Sequence, residues 1–153
     1  MVVRIPELEL DNQLCFALYD ASRAVVRAYG PLLDELGLTY PQYVTMLVLW
    51  QTDGPLSMGD LGSRLHLDSG TLTPLIKRLV QLGVVERRRD PADERRVLVT
   101  LTDQGAALRQ RACDIPARIF GRFGMEIDEA RTLRDNLTRI VQTIEAASAL
   151  ATR

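Results

Sequence analysis

Apolar side chains recur near the helical period along most of the chain, and this pattern predicts a mainly helical protein. The first helix is predicted over residues 7–28, where the apolar stripe consists of Leu10, Leu14, Leu18 and Val25. Gly30-Pro31 is expected to break it, because proline lacks a backbone N–H and disrupts a helix interior. A short helix from Leu32 to Leu36 would follow, with Gly37 at its C′ position.

Two further helices are predicted in the middle of the chain, each with a capping residue at its start. Thr39 caps the first, which runs to about Gln51 and is apolar nearly all round, a pattern typical of a buried helix. Ser57 caps the second, and Asp60 three residues later completes a weak capping box. Residues 66–68 then form a tight turn into the next helix.

The helix after this turn has an apolar face and a polar face. It is expected to begin between Asp68 and Thr71, because Pro74 is tolerated only near a first turn. Gly83 ends it. Short hydroxyl and basic side chains make up the polar face: Ser69, Thr71, Thr73, Lys77 and Arg78.

A β-hairpin with a basic tip is predicted next, from strands at 84–89 and 95–101 joined by a turn. Five of the ten residues 87–96 are arginines. A long helix over about 103–116 follows, and a last helix spans about 128–151. Two helices joined by a tight turn and then a basic hairpin give the order of a winged helix-turn-helix, whose second helix lies in the DNA major groove.

The distribution of charge along the chain supports a winged helix-turn-helix that binds DNA, although the net charge of the whole chain does not. The whole chain has a net charge of −1, whereas residues 77–96 hold seven basic and four acidic side chains, a net of +3. A solvated charged face is the simplest alternative for such a run. Because the arginines follow a helix-turn-helix directly, we favour contact with DNA, with the wing arginines in the minor groove.

Composition excludes several other classes of protein. The 153 residues are 46% hydrophobic and 25% charged, which are ordinary globular values. No apolar stretch approaches the roughly 18 residues that span a bilayer, and the first thirteen residues include acidic ones where a signal peptide is apolar. We therefore expect a cytoplasmic protein with no membrane contact. A single histidine, His66, rules out metal sites built from several histidines.

The segment from Leu61 to Gly105 resembles the DNA-binding core of the MarR family: LGSRLHLDSGTLTPLIKRLVQLGVVERRRDPADERRVLVTLTDQG. Asp93-x-Arg95 before VLVTLTDQG is similar to the family's wing signature, in which the Asp orients the Arg toward the minor groove. The resemblance implies one domain, 1–153, that binds a palindromic operator as a homodimer. It implies dimerisation helices at about 7–36 and 103–151 around a winged helix-turn-helix at about 40–101. The expected DNA contacts are Ser69, Gly70, Thr71, Thr73, Lys77, Arg78, Arg87, Arg88, Asp93, Arg95 and Arg96.

The first forty residues narrow the resemblance. LDNQLCFALYDASR and YGPLLDELGLTYPQY are similar to the organic-hydroperoxide-resistance regulators (OhrR) within the MarR family. In those proteins an N-terminal cysteine senses peroxide and two tyrosines of the partner subunit hydrogen-bond it. The matching residues are Cys15, Tyr29 and Tyr40, and Tyr19 also fits the pattern. The resemblance implies a repressor that releases its operator when an organic hydroperoxide oxidises Cys15.

The chemistry at Cys15 can be weighed without the family. A thiolate that attacks a peroxide needs hydrogen-bond donors, and phenolic O–H groups can supply them. Tyr19, at i+4, can reach the thiol on the same helix face. Tyr29 lies about 21 Å away along a continuous helix, so it can reach only a partner's Cys15 unless the chain folds back. The alternatives are an ordinary buried helix cysteine and tyrosines that simply pack at helix ends.

Cys113, the second cysteine, leaves the mechanism of resolution open. Some members of the family carry a resolving cysteine, which is expected near residues 119–121, where this chain has none. Cys113 is therefore a possible resolving residue, and capping of Cys15 by a low-molecular-weight thiol is the favoured alternative.

Two other functions compete with peroxide sensing. One is a MarR-type repressor that is released by a small aromatic ligand bound near the dimer interface. The other is a thiol peroxidase, which would leave the helix-turn-helix and wing without a purpose and lacks a His/Asp partner for Cys15. The sequence has no Gly-rich phosphate loop and no metal-binding cluster, so we expect neither catalysis nor a cofactor.

Overall fold

The computed structural model describes residues 5–151, which fall into two compact units divided after Pro116. Each unit is described by itself. The ends of the predicted domain, residues 1–4 and 152–153, lie outside the described residues, and a single domain over 1–153 stays a prediction.

The described residues form helices and one small sheet, which confirms the predicted mainly helical fold with a β-wing. The helices are α1 (Leu14–Asp34), α2 (Tyr40–Trp50), α3 (Met58–Leu65), α4 (Ser69–Gln81), α5 (Asp103–Ala112), α6 (Ile115–Phe120) and α7 (Ile127–Ala151). The strands are β1 (Leu56–Ser57), β2 (Val85–Arg89) and β3 (Val97–Leu101), arranged in the antiparallel order β1-β3-β2. No helix within residues 5–151 is long and apolar enough to cross a membrane.

The first helix differs from its prediction at both ends. Two short 3-10 turns, Pro6–Leu8 and Leu10–Asn12, precede it, so α1 begins at Leu14 rather than near residue 7. The predicted break at Gly30-Pro31 and the separate helix from Leu32 to Leu36 are wrong, because α1 continues through Pro31 to Asp34. A proline in a helix interior costs about 3 kcal/mol, and burial of Leu32 and Leu33 in the last turn offsets that cost.

Side-chain caps start the next helices where the sequence predicts them. Gln42 accepts a hydrogen bond from the Thr39 backbone at 2.7 Å in the capping box of α2. The Ser57 hydroxyl accepts from the Asp60 backbone at the start of α3. Asp68 caps α4, which places Pro74 in the second turn of that helix. His66 closes α3 in the left-handed region, with φ of 53°.

The wing contains one strand that the hydrophobic pattern does not predict. In β1, Leu56 pairs with Val99 of β3, but two residues are too short to show the alternation of a strand. β3 begins at Val97, two residues later than predicted, because Arg95 and Arg96 belong to the turn. The helix predicted to reach Pro116 instead ends at Ala112, and Pro116 lies in the first turn of α6.

A close backbone contact joins the end of α4 to the start of α5. The Thr102 hydroxyl donates to the Gly83 carbonyl at 2.6 Å and accepts from the Gly105 amide at 3.0 Å. The Trp50 indole N–H of α2 donates to the Gly105 carbonyl at 2.8 Å in a buried bond. A Cβ on Gly105 would lie 1.9 Å from the Val84 carbonyl oxygen, so only glycine fits there. This junction fixes the end of α4 and the base of the wing.

Candidate DNA interface and cysteine site

The start of α4 is exposed to solvent and is capped by the Asp68 side chain. One Asp68 carboxylate oxygen accepts from the Thr71 amide at 2.9 Å, and the other accepts from the Thr71 hydroxyl at 3.0 Å. The backbone bond from Thr71, followed by the bond from its hydroxyl, lowers the pKa of Asp68 below its usual value. The Thr71 hydroxyl therefore serves the cap, whereas Ser69 and Thr73 lie on the exposed surface beside it.

The two faces of α4 separate as the sequence predicts. Leu72, Ile76 and Leu79 are buried. The predicted contact residues of this helix are all exposed: Ser69, Gly70, Thr71, Thr73, Lys77 and Arg78. The buried face anchors the helix, and the exposed face presents hydroxyls near its start and two cations one turn later.

Strand β2 of the wing presents arginines on both of its faces. Because side chains alternate along a strand, Arg87 shares a face with Val85, and Arg88 lies on the other face. Arg87 is paired with Val99, and Arg88 with Leu98. Both arginines are exposed, but one surface of DNA cannot meet both through the same face of the hairpin.

The turn of the wing is ordered by two aspartates. Asp93 accepts from the Arg95 amide at 3.0 Å, and Asp90 accepts from the Ala92 amide at 2.9 Å. Arg89 reaches across the turn and donates to the Glu94 carbonyl at 3.3 Å. Asp93 therefore shapes the backbone that carries Arg95, and the exposed Arg95 guanidinium has no acceptor among the described residues.

Arg96, the neighbour of Arg95, has a different environment. One guanidinium nitrogen lies 3.6 Å from the Asp60 carboxylate of α3, and another lies 3.9 Å from the Asp90 carboxylate. Asp60 also accepts a hydrogen bond of 2.6 Å from the Ser57 hydroxyl. The sequence pattern did not separate Arg96 from the other wing arginines, because its acidic partner on α3 is distant along the chain.

Cys15 lies in the first turn of α1 and is exposed in the single chain. Tyr19 follows one turn later, where its hydroxyl accepts from Arg23 at 3.3 Å and its ring lies 5.4 Å below the same guanidinium. Since α1 is one continuous helix to Asp34, Tyr29 is about 21 Å from Cys15 along the axis. Tyr29 and Cys15 of one chain therefore do not meet.

Tyr29 instead belongs to an aromatic cluster with α2. Its ring centroid is 4.8 Å from that of Tyr40 and 5.7 Å from that of Tyr43. Tyr43 continues the cluster to Trp50 at 6.3 Å. Burial, followed by the neighbouring Tyr40 and Tyr43, raises the pKa of Tyr29 to about 12, and burial also raises that of Tyr43. The structure thus brings Tyr29 and Tyr40 together and adds Tyr43 to their cluster. The sequence pattern indicated only that the helix carrying Tyr43 is buried.

Cys113 closes α5 and is exposed. It borders a cavity together with Tyr43, Trp50 and Arg109. Among residues 5–151, no three His, Cys, Asp or Glu side chains lie close enough to hold a metal ion.

A capped helix-turn-helix with an exposed basic face, followed by an arginine-rich wing, defines the class of winged-helix DNA-binding regulators. Residues 27–111 match the family model for the transcriptional regulator SarA/Rot. The organic hydroperoxide resistance transcriptional regulator of Bacillus subtilis is 43% identical over 141 residues, which cover 92% of this chain and 95% of that protein. The chain belongs to the MarR family of transcriptional regulators, in the organic hydroperoxide resistance subgroup.

Other relatives agree with this placement. The HTH-type transcriptional regulator TtmR of Methylorubrum extorquens is 51% identical over 137 residues, covering 90% of this chain and 70% of that protein. The structure of reduced AbfR bound to DNA matches with a TM-score of 0.76 and 33% identity, over 91% of this chain and 96% of that one. These relatives are regulators and not enzymes, which confirms that expectation.

Proposed function

We propose that this regulator is a homodimeric repressor that senses organic hydroperoxides through Cys15 and then releases a palindromic operator. The observation that carries the proposal is that Cys15 and Tyr29 lie far apart on one unbroken helix, while the Tyr29 ring packs at a tilt against Tyr40 of α2. Two copies of the chain are needed to bring a thiol and these phenols together. The name of the Bacillus subtilis relative supplies the class of oxidant.

Exposed apolar side chains on two helices support a dimer. Of the 21 residues of α1, only Leu32 and Leu33 are buried, whereas Leu14 is 66% exposed. On α7, Leu133, Val141 and Ile144 are exposed and recur at helical spacing. We propose that these stripes of α1 and α7, within a single domain over 1–153, are covered by a second copy. Such an obligate interface typically buries upward of about 2,000 Å².

The exposed face of α4 and the wing tip are the proposed DNA contacts. Ser69, Gly70 and Thr73 suit base edges and phosphates in the major groove, and Lys77 and Arg78 suit phosphates or guanine. On the wing, the exposed Arg95 suits the minor groove, where negative potential is focused. Asp93 holds the backbone that carries it. Thr71 contributes mainly through its bond to Asp68. Arg87 and Arg88 lie on opposite faces of β2 in the wing.

The sensing step is a two-electron oxidation. The Cys15 thiolate attacks the terminal oxygen of the hydroperoxide, an S–O bond forms and the O–O bond breaks. The sulfur becomes a sulfenic acid, and the peroxide is reduced to an alcohol whose oxygen takes a proton from solvent. A low-molecular-weight thiol then condenses with the sulfenic acid, which forms a mixed disulfide and releases water. In the alternative route, the thiol of the partner's Cys113 condenses with the sulfenic acid instead, which forms a disulfide between the subunits and releases water.

The tyrosines connect this step to DNA binding. Phenolic O–H groups of Tyr29 and Tyr40 donate to the partner's Cys15 thiolate. Tyr19 lines the same face of α1 as Cys15. A mixed disulfide adds bulk and removes the acceptor, so the interface moves to another arrangement. Recognition helices that must stand about 34 Å apart then no longer fit successive turns of DNA.

A mixed-dimer experiment tests whether the site is shared between subunits. One subunit carries Cys15→Ser, and the other carries Tyr29→Phe with Tyr40→Phe. A shared site leaves one complete set of Cys15 and tyrosines in this heterodimer, whereas a site within one chain leaves none. We expect one subunit of the heterodimer to form sulfenic acid as fast as wild type when cumene hydroperoxide is added, measured by dimedone labelling and mass spectrometry. Labelling as slow as in the Tyr29→Phe/Tyr40→Phe homodimer would contradict the proposal.

Release by a small ligand remains the competing function. The PcaV regulator of Streptomyces coelicolor in complex with its natural ligand matches with a TM-score of 0.81 and 25% identity, covering 92% of this chain and 98% of that one. This chain has a half-open, mainly apolar cavity of about 240 Å³ bordered by Leu36, Leu82 and Arg111, which is the candidate site for a small aromatic ligand. Ligand-driven release predicts a response that survives Cys15→Ser, whereas thiol sensing predicts that it is lost.

A further inference from the structure

Arg95 and Arg96 are adjacent in the wing, but their guanidinium groups have different surroundings. That of Arg95 is exposed, with no acceptor among the described residues. That of Arg96 lies between the carboxylates of Asp60, in the first turn of α3, and Asp90, directly after β2. A phosphate contact would have to compete with two carboxylates for the same cation.

We propose that Arg96 is a positioning residue, which ties the wing tip to the first turn of α3 and so sets the angle at which Arg95 meets DNA. The sequence assigned Arg96 to the DNA contacts with the other wing arginines. The inference rests on the proposed contact between the wing and DNA, and it gives Asp60 a part in DNA affinity as well.

The tie adds a link between the wing tip and α3, beyond the strand pairing of the sheet. β1 pairs with β3 only at Leu56 and Ser57, at the base of the wing. The wing tip, residues 90–96, is closed by hydrogen bonds within its own turn. The Asp90 amide donates to the Arg96 carbonyl at 3.0 Å. The Arg96 side chain adds a link from that tip to the helix-turn-helix.

Each of the two carboxylates also accepts a hydrogen bond of its own. The Asp60 carboxylate also accepts from Ser57, the capping residue of α3. The Asp90 side chain is only 15% exposed, and it accepts from the Ala92 amide. An isolated surface ion pair contributes at most about 1 kcal/mol, which corresponds to about a fivefold change in affinity. A link of this strength is enough to bias the orientation of a wing tip.

The substitution Asp60→Asn separates the two interpretations by sign. If Arg96 contacts a phosphate, loss of a carboxylate that competes for it strengthens DNA binding. If Arg96 positions the wing, the same substitution weakens binding, by about threefold. The amide oxygen of the substituted side chain can still accept the Ser57 hydrogen bond, so the cap of α3 is retained.

The experiment measures the dissociation constant of the reduced full-length protein for an operator duplex that the protein itself selects from a random-sequence library. Wild type, Asp60→Asn, Arg96→Gln, the double variant and Arg95→Gln are compared at several salt concentrations. We expect Asp60→Asn and Arg96→Gln each to weaken binding about threefold, the double variant to be no weaker than either, and the salt dependence to stay unchanged. Thermal denaturation of each variant checks that the fold is intact.

Arg95→Gln is the matched control, one residue away and of the same chemistry. Loss of a true DNA contact should weaken binding about tenfold or more and reduce the salt slope by about one. If Arg95→Gln has no effect, the proposed wing contact fails. If Arg95→Gln weakens binding while Asp60→Asn strengthens it, or while Arg96→Gln lowers the salt slope, the positioning role of Arg96 is wrong and the wing contact stands.

Discussion

Replacement of Gly105 by alanine should destabilise the protein strongly, although alanine is the better helix former. Gly105 lies in the first turn of α5, beside the end of α4. An added Cβ would lie 1.9 Å from the Val84 carbonyl oxygen and 3.3 Å from a Leu101 methyl group. Neither neighbour can yield cheaply, because the first is backbone and the second belongs to β3.

The magnitude follows from what must move. A Cβ rarely approaches an oxygen closer than 3.0 Å, so the two backbones must separate by about 1 Å. That movement strains the 2.8 Å bond from Trp50 to the Gly105 carbonyl and the 3.2 Å bond from the Thr102 amide to Val84. Overpacking costs about 1–3 kcal/mol, and each weakened buried hydrogen bond about 1 kcal/mol more. Helix propensity returns about 1 kcal/mol, so we expect a net loss of about 3 kcal/mol.

Urea unfolding followed by far-ultraviolet circular dichroism measures this loss, at one fixed chain concentration because the stability of the proposed dimer would depend on it. Gly59→Ala in α3 is the matched control, because the nearest atom to its added Cβ is the Ser57 oxygen at 3.8 Å. We expect Gly59→Ala to stabilise slightly, by about 0.5 kcal/mol. Equal effects of the two substitutions would refute the close contact at Gly105.

Three further predictions follow from single interactions. Trp50→Phe removes the donor to the buried Gly105 carbonyl and should cost about 1–3 kcal/mol in the same urea assay; an unchanged midpoint would contradict the bond. Because the pKa of Tyr29 is raised to about 12, the stability it provides is complete below pH 10 and lost as pH rises toward 12, so Tyr29→Phe should flatten the alkaline fall of the urea midpoint. Because the pKa of Asp68 is lowered, Asp68→Ala should lower the melting temperature at pH 7 but much less below pH 3.8, and an equal loss at both pH values would refute the charged cap.

The sequence predicts the DNA-binding part of the fold well because its signals are local. Thr39, Ser57 and Asp68 each mark a helix start through a bond to the amide three residues on, and Gly83 marks the end of α4. Such signals need no knowledge of the rest of the chain. The basic hairpin is recognisable for the same reason, since its strands are adjacent in sequence.

The parts that were missed depend on contacts between distant residues. Pro31 indicates a break by its own chemistry, whereas α1 continues through it to the buried Leu32 and Leu33, whose packing against the rest of the chain the local pattern does not show. Likewise the pairing of Leu56 with Val99 and the link from Asp60 to Arg96 join segments some forty residues apart. For the cysteine site, the sequence predicts Cys15, Tyr29 and Tyr40. The unbroken α1 keeps Cys15 and Tyr29 of one chain apart, which supports the proposal of a site shared between two subunits.

The most direct test of the central claim is release of the selected operator duplex by an organic hydroperoxide, measured by fluorescence anisotropy for wild type and Cys15→Ser. Both proteins should bind the reduced-state operator with equal affinity, since Cys15 lies on α1 and not on the exposed face of α4. After cumene hydroperoxide and a low-molecular-weight thiol are added, wild type should lose affinity more than a hundredfold, about 3 kcal/mol. Cys15→Ser should stay bound. Peroxide-driven release that persists in Cys15→Ser would contradict the assignment of Cys15 as the sensor.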